Sequence, residues 1–297
     1  MIIPPKLNRG DKVALIATAR HISKNELLPA IEVIHKWGLQ IEYGENLFKI
    51  HNQFAGSEKE RADDLQKMLD DKSIKAVFCV RGGYGTVRII DKIDFSFFLN
   101  NPKWIVGYSD ITVLHNHINN FGIASLHASM PINFKDNTAK SLNSIYNCLF
   151  KLQNNIACNP FPLNKFGVAK GEVVGGNLSV IYSLLGSASD INTKDKILFI
   201  EDLDEYLYHI DRMIFNLFRN KKFASIKGLI VGGMTKMNDN KIPFGKNANE
   251  IIFEKTRHLN IPICFNFPSG HLDDNQSIVF GKESSLMVSE EIVELKQ

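Results

Sequence analysis

Residues 104–118 read WIVGYSDITVLHNHI, and this stretch decides the fold of the first half of the chain. The apolar run Trp104–Val106 predicts a short buried strand that ends at Gly107. After it the apolar side chains recur at helical spacing, at Ile111, Leu114, Ile118 and Phe121. The sequence therefore predicts a strand that runs directly into a helix, with Ser109 at the corner.

Ser109 has two interpretations at this corner. A serine in a tight strand-to-helix turn can act as a nucleophile, because the turn exposes its side chain in front of a helix N-terminus. The hydrolase motif GxSxG is not met, since Asp110 and Ile111 follow the serine. Alternatively, Ser109 or Asp110 caps the helix. This stretch by itself leaves both interpretations open.

Length and charge limit the classes of function. The chain has 297 residues, which is comfortable for two domains, and 44% of them are hydrophobic. The 35 basic and 32 acidic residues nearly balance, with a net charge of +3. Because the lysines are scattered, the sequence does not predict a nucleic-acid-binding surface.

The cysteines and the N-terminus indicate the compartment. Four cysteines are widely spaced without a CxxC pair, which favours free thiols in a reducing compartment. Pro4 and Pro5 interrupt the N-terminus where a signal peptide needs an apolar run, and no run approaches the ~20 apolar residues that span a bilayer. We expect a cytoplasmic protein that does not bind membranes.

Strands alternate with helices through the first half, which predicts an α/β fold with a parallel sheet covered on both faces. The helix EKERADDLQKMLDD carries a capping box, Ser57 with Glu60. From about residue 135 to residue 168 the pattern loosens and becomes rich in Asn and Pro, which predicts a linker or crossing segment. We therefore divide the chain into domains at 1–135 and 169–297, with 136–168 between them.

Glycines follow a second buried strand in the run RGGYG, Arg81–Gly85. Glycine lets backbone N–H groups approach a ligand without a Cβ in the way. A phosphate cradle is one interpretation, although neither GxGxxG nor GxxxxGK[ST] is present. The other is an oxyanion hole, in which the amides of Gly83 and Asp110 would donate to the developing negative charge.

An acid and a histidine follow strands in the second half. In FIEDLDE the acidic residues could bind a divalent metal or favour a helix N-terminus, but Glu201 lies at a strand tip and needs a partner. His271 follows a strand in FNFPSGH, and His127 in ASLHASM is a rival base. The order Ser109, Glu201, His271 suits a hydrolase in which histidine takes the serine proton and the acid orients the imidazole.

Five segments resemble the LD-carboxypeptidase family, and together they run through most of the chain. They are FAGSEKERADDLQKMLDDKSIKAVFCVRGGYGTVRIID, WIVGYSDITVLH, GEVVGGNLSVIYSLLGS, ILFIEDLDEYLYHIDRM and FPSGH. The combination of RGGYG, GYSD and GGN with IED..E..Y.IDR is specific. One loop departs from the family pattern: Ala17–Arg20 reads ATAR where Ala-Pro-Ser is usual.

The resemblance implies a serine peptidase with Ser109 as nucleophile, Glu201 as acid and His271 as base. It implies a flavodoxin-like N-terminal domain, a smaller β-rich swivelling C-terminal domain, a homodimer, and action without a metal or other cofactor. The implied substrate is the cytosolic muropeptide tetrapeptide of peptidoglycan recycling, from which terminal D-alanine is released at an L,D bond.

A carboxypeptidase must also bind the free carboxylate of its substrate, and Arg81 could do so with a two-pronged contact. Arg81 could equally be a structural partner for a carboxylate at the sheet end.

An immunity-type peptidase of the same fold, acting on peptidyl or aminoacyl nucleotides, is an alternative function. Peptidases of that type hold the nucleobase with an aromatic clamp in the second domain. The only tryptophans here, Trp37 and Trp104, lie in the first half of the chain. A non-catalytic protein that binds a small anion is a second alternative.

Overall fold

The computed structural model describes all residues, 1–297. Thirteen strands form two sheets. They are β1 Lys12–Ile16, β2 Gln40–Tyr43, β3 Ile74–Cys79, β4 Trp104–Gly107, β5 Ser125–His127, β6 Asn155–Cys158, β7 Gly167–Asn177, β8 Ile197–Leu203, β9 Gly228–Thr235, β10 Ile263–Cys264, β11 Ile278–Phe280, β12 Glu283–Val288 and β13 Val293–Lys296.

Eight α-helices connect and cover the sheets. They are α1 Lys24–Lys36, α2 Glu58–Asp70, α3 Ser96–Asn100, α4 Thr112–Asn120, α5 Ala139–Tyr146, α6 Leu178–Leu184, α7 Leu207–Arg219 and α8 Ala248–Thr256. The predicted capping box of α2 is confirmed, since the Ser57 hydroxyl accepts from the Glu60 amide and the Glu60 carboxylate accepts from the Ser57 amide. None of these helices has the length and apolar composition that crossing a bilayer requires.

The first sheet has the strand order β2-β1-β3-β4-β5-β11. Strands β1 to β5 are mutually parallel in the flavodoxin-like order, which confirms the predicted class of the first half. Val13 and Leu15 of β1 belong to the core on the α1 side, whereas Ala14 and Ile16 belong to the core on the α2 side. Helices therefore cover both faces, as predicted.

The edge strand β11 was not expected in this sheet. It comes from the last part of the chain and pairs antiparallel with β5, where Ile278 lies opposite His127. A three-residue strand with no polar side chain has no local signal that names its partner. The second sheet has the order β10-β9-β8-β7-β12-β13-β6, with a parallel half and an antiparallel half. This two-sheet, two-domain arrangement agrees with the predicted fold class.

The segment 136–168 is more ordered than its Asn- and Pro-rich composition indicates. It contains α5, a π-helical turn at Asn147–Lys151, and β6, which pairs with β13 at the edge of the second sheet. The Thr138 hydroxyl caps α5, and Ser144 of this helix hydrogen-bonds Ser277. The cap is local, but the pairing of β6 with β13 and the bond to Ser277 join distant parts of the chain, so local composition does not reveal them. The domain boundaries themselves remain predictions.

Helix α4 lies between the two sheets. All side chains from Thr112 to Asn119 are buried, although only one face of the helix is apolar. Some of the polar side chains have partners: His115, for example, bonds the Ser125 hydroxyl at 2.9 Å and the Gly107 carbonyl at 2.8 Å, whereas the buried amide of Asn116 has none. The helix that follows Ser109 is thus held on all sides.

Gly175 in β7 permits the close approach of β8. Its φ is +149°, and a Cβ built there would lie 1.8 Å from the carbonyl oxygen of Phe199. We expect Gly175→Ala to lower the free energy of unfolding by at least about 4 kcal/mol, measured by chemical denaturation. Gly186→Ala is the control, because Gly186 has φ +79° but no atom near its Cβ position. We expect that variant to lose only about 1–2 kcal/mol; equal losses would contradict the steric argument.

Candidate active site

Ser109 lies in a strained turn between β4 and α4. Its φ is +62°, in the left-handed region that non-glycine residues seldom adopt. A single 3₁₀ turn, Ser109–Ile111, precedes α4, and no side chain caps that helix. The capping interpretation therefore finds no support. The Asp110 carboxylate turns away to accept the Thr86 amide at 2.9 Å.

The structure brings together the three side chains expected to form the triad. His271 Nε2 lies 3.2 Å from Ser109 Oγ, and His271 Nδ1 lies 2.6 Å from Glu201 Oε2. The His271 amide also donates to Glu201 Oε2 at 3.2 Å. These are the distances at which an imidazole can accept a proton from a hydroxyl while a carboxylate orients its other nitrogen.

A bulge in β8 positions Glu201. Pairing of β8 with β9 shifts register between Ile200 and Asp202, so Glu201 has no direct partner in β9. A bulge next to a site redirects a side chain from its regular alternation. The Glu201 side chain is fully buried, whereas that of His271 is 13% exposed. The Glu201 carboxylate is thus shielded from solvent, whereas the His271 imidazole is partly accessible to it.

Charges around His271 set its pKa. Burial disfavours the imidazolium, but the carboxylates of Glu201 and Asp202 outweigh it, and the pKa of His271 is raised above 6.5. The ring of Tyr108 lies 4.7 Å from the imidazole and limits its rotation. His271 is therefore placed to take up a proton.

The rival base, His127, lies elsewhere. It is fully buried, and burial holds its pKa well below the usual value. Its Nδ1 is 3.5 Å from the Ser269 hydroxyl, and it makes no hydrogen bond to Ser109. A fully buried histidine that stays neutral and does not contact the serine cannot serve as its base in this arrangement.

The glycine loop after β3 lies against the serine. A Cβ built on Gly82 would lie 3.3 Å from Ser109 Cβ and 3.5 Å from the Asp110 nitrogen. Gly82 therefore makes the close approach to the serine, while Gly83 lies beside the side chain of Arg20. The amides of Gly83 and Asp110 remain our candidates for the oxyanion hole.

The acidic residues after Glu201 do not converge on one point. Asp202 binds Asn177 Nδ2 at 2.8 Å and the Ser179 amide at 2.9 Å, and burial with the charge of Glu201 raises its pKa to about 7. Asp204 and Glu205 bind Asn238 and His209, respectively. No group of three or more His, Cys, Asp or Glu side chains is arranged to hold a metal ion.

Arg61 of α2 was missed at the sequence level. Its guanidinium is buried and donates from Nη1 to the Thr18 carbonyl at 2.5 Å and the Gly85 carbonyl at 3.0 Å. It thereby joins the loop after β1 to the glycine loop. An arginine within EKERADD reads as a solvated residue, although its spacing from Leu65 and Met68 puts it on the buried face.

We expect Arg61→Met to lower the free energy of unfolding by about 2–4 kcal/mol, because two buried carbonyls lose their donor. Chemical denaturation measures the loss. Arg88→Gln serves as the control, since the contacts of Arg88 with Glu58 and with the Phe54 ring are made at the exposed surface and should contribute little to stability. An unchanged midpoint for Arg61→Met would remove the proposed loop-bridging role.

Arg81 makes structural contacts. Its Nη1 donates to the His21 carbonyl at 3.0 Å and lies 3.6 Å from Glu26 Oε1. Glu26 belongs to α1, so the carboxylate partner lies on a helix and not at a sheet end. These contacts favour a structural role for Arg81 over the binding of a substrate carboxylate.

Known proteins with similar sequences and structures define the family. The LD-carboxypeptidase N-terminal domain matches residues 13–128, and the LD-carboxypeptidase C-terminal domain matches residues 170–286. A probable murein peptide carboxypeptidase of Bacillus subtilis is 33% identical over 97% of this chain and 92% of its own.

Two solved structures share the fold. Muramoyltetrapeptide carboxypeptidase from Oxalobacter formigenes superposes with a TM-score of 0.88 at 25% identity, over 96% of this chain and 98% of that chain. The microcin C7 self-immunity protein MccF, bound to adenosine monophosphate, superposes with a TM-score of 0.87 at 19% identity, over 100% of this chain and 99% of that chain. This chain belongs to the LD-carboxypeptidase family and is a serine carboxypeptidase.

Proposed function

We propose that the enzyme releases the terminal D-alanine of muropeptide tetrapeptides by hydrolysis of an L,D bond, with Ser109, His271 and Glu201 as its triad. The observation that carries this proposal is the chain of two hydrogen bonds from Ser109 Oγ through His271 to the buried Glu201. The relatives named above supply the substrate class.

In the proposed reaction, Ser109 Oγ attacks the scissile carbonyl carbon while His271 Nε2 takes its proton. The amides of Gly83 and Asp110 stabilise the oxyanion of the tetrahedral intermediate. His271 then donates the proton to the nitrogen of D-alanine, which leaves. Water attacks the acyl-enzyme with His271 again as base. His271 then returns the proton to Ser109 Oγ as the acyl bond breaks, and the tripeptide is released.

The place of action and the assembly are part of the same proposal. We infer a cytoplasmic enzyme, which the four free cysteines support because structural disulfides are rare in reducing compartments. We infer a homodimer and no metal or other cofactor from the family resemblance. Sedimentation of the purified protein measures the assembly directly.

The reaction is tested by mass spectrometry after incubation with muramoyl tripeptide, tetrapeptide and pentapeptide. We expect the mass of one alanine residue to be lost from the tetrapeptide and from neither of the others. Cleavage of the pentapeptide with no action on the tetrapeptide would contradict the proposal.

The immunity-type activity is a second candidate, favoured by the fold shared with MccF. Neither tryptophan is available as an aromatic clamp for the nucleobase of such a substrate. Trp104 is fully buried with its indole N–H on the Pro5 carbonyl, and Trp37 packs against Phe134 and Tyr146. An aminoacyl sulfamoyl adenosine substrate in the same assay tests this candidate.

Labelling by a fluorophosphonate, lost in Ser109→Ala, separates an enzyme from a non-catalytic binding protein.

A further inference from the structure

Arg20 lies at the carboxyl end of β1, beside the glycine loop that follows β3. In the first sheet β1 lies between β2 and β3. The chain adds β2 on one side of β1 and then β3, β4 and β5 on the other side, so the order of the strands reverses at β1. Open α/β sheets bind ligands in the crevice at this point, outside the carboxyl ends of the strands. The Arg20 amide joins the two loops by donating to the Gly82 carbonyl at 3.4 Å.

The Arg20 side chain is exposed and forms no hydrogen bond or ion pair within the protein. It nevertheless has a defined position, because its methylenes lie over Gly83. A Cβ built on Gly83 would be 2.5 Å from Arg20 Cδ and 2.7 Å from Nε. Glycine at this position therefore leaves space for the arginine side chain, and the guanidinium remains free to bind an external anion.

The same glycine loop also contacts the candidate nucleophile. Gly82 lies against Ser109, and the next residue, Gly83, lies against Arg20. Consecutive Cα atoms are about 3.8 Å apart, so the two contacts are one residue step apart along the same loop. The carboxylate of a C-terminal residue is separated from the scissile carbonyl carbon only by that residue's nitrogen and α-carbon. Ser109 and the Arg20 side chain thus contact adjacent residues of one loop, and this juxtaposition makes Arg20 the candidate for binding the carboxylate.

Arg81 is less suited to this task. Its guanidinium already donates to the His21 carbonyl and lies near the Glu26 carboxylate, which compensates its charge. Binding a substrate there would require breaking these contacts. Arg20 has no such contacts to lose.

We propose that Arg20 is the specificity-determining residue that binds the free terminal carboxylate of the peptide, and thereby makes the enzyme an exopeptidase. The proposal rests on the proposed function. A guanidinium can hold a carboxylate with two parallel charge-assisted hydrogen bonds, and this geometry is selective for a free chain end. An amide at the chain end offers neither the charge nor the second acceptor.

The test compares muramoyl tetrapeptide with the same peptide ending in a carboxamide, for the wild type, Arg20→Gln, Arg20→Lys and Arg81→Gln. We expect Arg20→Gln to lower kcat/KM for the acid about 10- to 100-fold, mainly through KM, and to leave the amide unaffected. The wild-type preference for the acid should then disappear. Arg20→Lys should restore part of it, because the charge returns without the planar fork.

Arg9→Gln is the matched control. Arg9 is also an exposed arginine lying over a glycine, since a Cβ built on Gly38 would be 2.9 Å from its Nε. It precedes β1 and so lies at the opposite end of the sheet. We expect this variant to keep the wild-type preference for the acid, and thermal denaturation should show that all variants are folded.

The outcomes separate this proposal from the one on which it rests. A wild type that releases D-alanine from the acid, with Arg20→Gln keeping the acid preference, overturns the role of Arg20 alone. Loss of that preference only in Arg81→Gln also overturns it. A wild type that cleaves the amide as well as the acid excludes recognition of the carboxylate. A wild type that releases no D-alanine from either peptide ends both proposals.

Discussion

Ser109→Ala is expected to lower kcat for the tetrapeptide by about 10⁴-fold or more, because the acyl-enzyme can no longer form. The free energy of unfolding should change little. Alanine retains the Cβ, so the left-handed backbone at φ +62° carries the same strain before and after the change. Steady-state release of D-alanine measures the loss, and intact-protein mass after fluorophosphonate treatment measures the nucleophile directly.

Ser125→Ala is the matched control for this variant. Ser125 also pairs with a histidine, His115, at 2.9 Å, but both side chains are fully buried between the sheets. Its removal should cost about 1–3 kcal/mol of stability by leaving a buried nitrogen unpaired, while the labelled fraction of folded protein stays at the wild-type level. Labelling that persists in Ser109→Ala would assign the nucleophile to another residue.

His271→Ala is expected to lower kcat by a similar factor, about 10⁴-fold. Without the imidazole no base lies within hydrogen-bonding distance of Ser109 Oγ, since His127 makes no contact with it. The buried Glu201 also loses the imidazole and keeps only the backbone amide of residue 271 as a donor, so this variant should be less stable than Ser109→Ala. Fluorophosphonate labelling should be strongly slowed, because the hydroxyl remains but its proton has no acceptor. A His271→Ala enzyme with near wild-type turnover would remove the imidazole from the mechanism.

The pH profile gives an independent check on the same residue. A base must be neutral to accept a proton, and the carboxylates around His271 raise its pKa above 6.5. The acidic limb of kcat/KM for the wild type should therefore have its midpoint above pH 6.5. Glu201→Gln removes the nearest charge, so the imidazolium becomes less favourable and the limb should move to lower pH in whatever activity remains. A limb that does not move would indicate another titrating group.

Local features of the sequence were sufficient for the elements near the nucleophile. The change from an apolar run to helical spacing located β4 and the turn at Ser109, and the pair Ser57 and Glu60 located the start of α2. These predictions succeed because strand burial and helix capping depend on residues close together in the chain. The apolar runs before Glu201 and His271 were also visible in this way, although β8 continues past Glu201 to Leu203, so Glu201 is not at the strand tip that was predicted.

Other features depended on partners far away in the chain. The buried role of Arg61 requires the carbonyls of Thr18 and Gly85, and the bulge at Glu201 requires the register of β8 against β9. The pairing of β11 with β5 and the order within 136–168 have the same origin. None of these long-range contacts produces a periodic pattern in the sequence, so they could not be predicted from neighbouring residues.

The sequence by itself determined the α/β class, the strand-turn-helix at Ser109 and the order of serine, acid and histidine, because these follow from neighbours along the chain. Only the tertiary structure decided which side chains meet. Folding puts Ser109 at 3.2 Å from His271, although 162 residues separate them, and leaves Arg20 beside the same loop without a partner. Those distances arise from packing two sheets around α4, which depends on the whole chain at once.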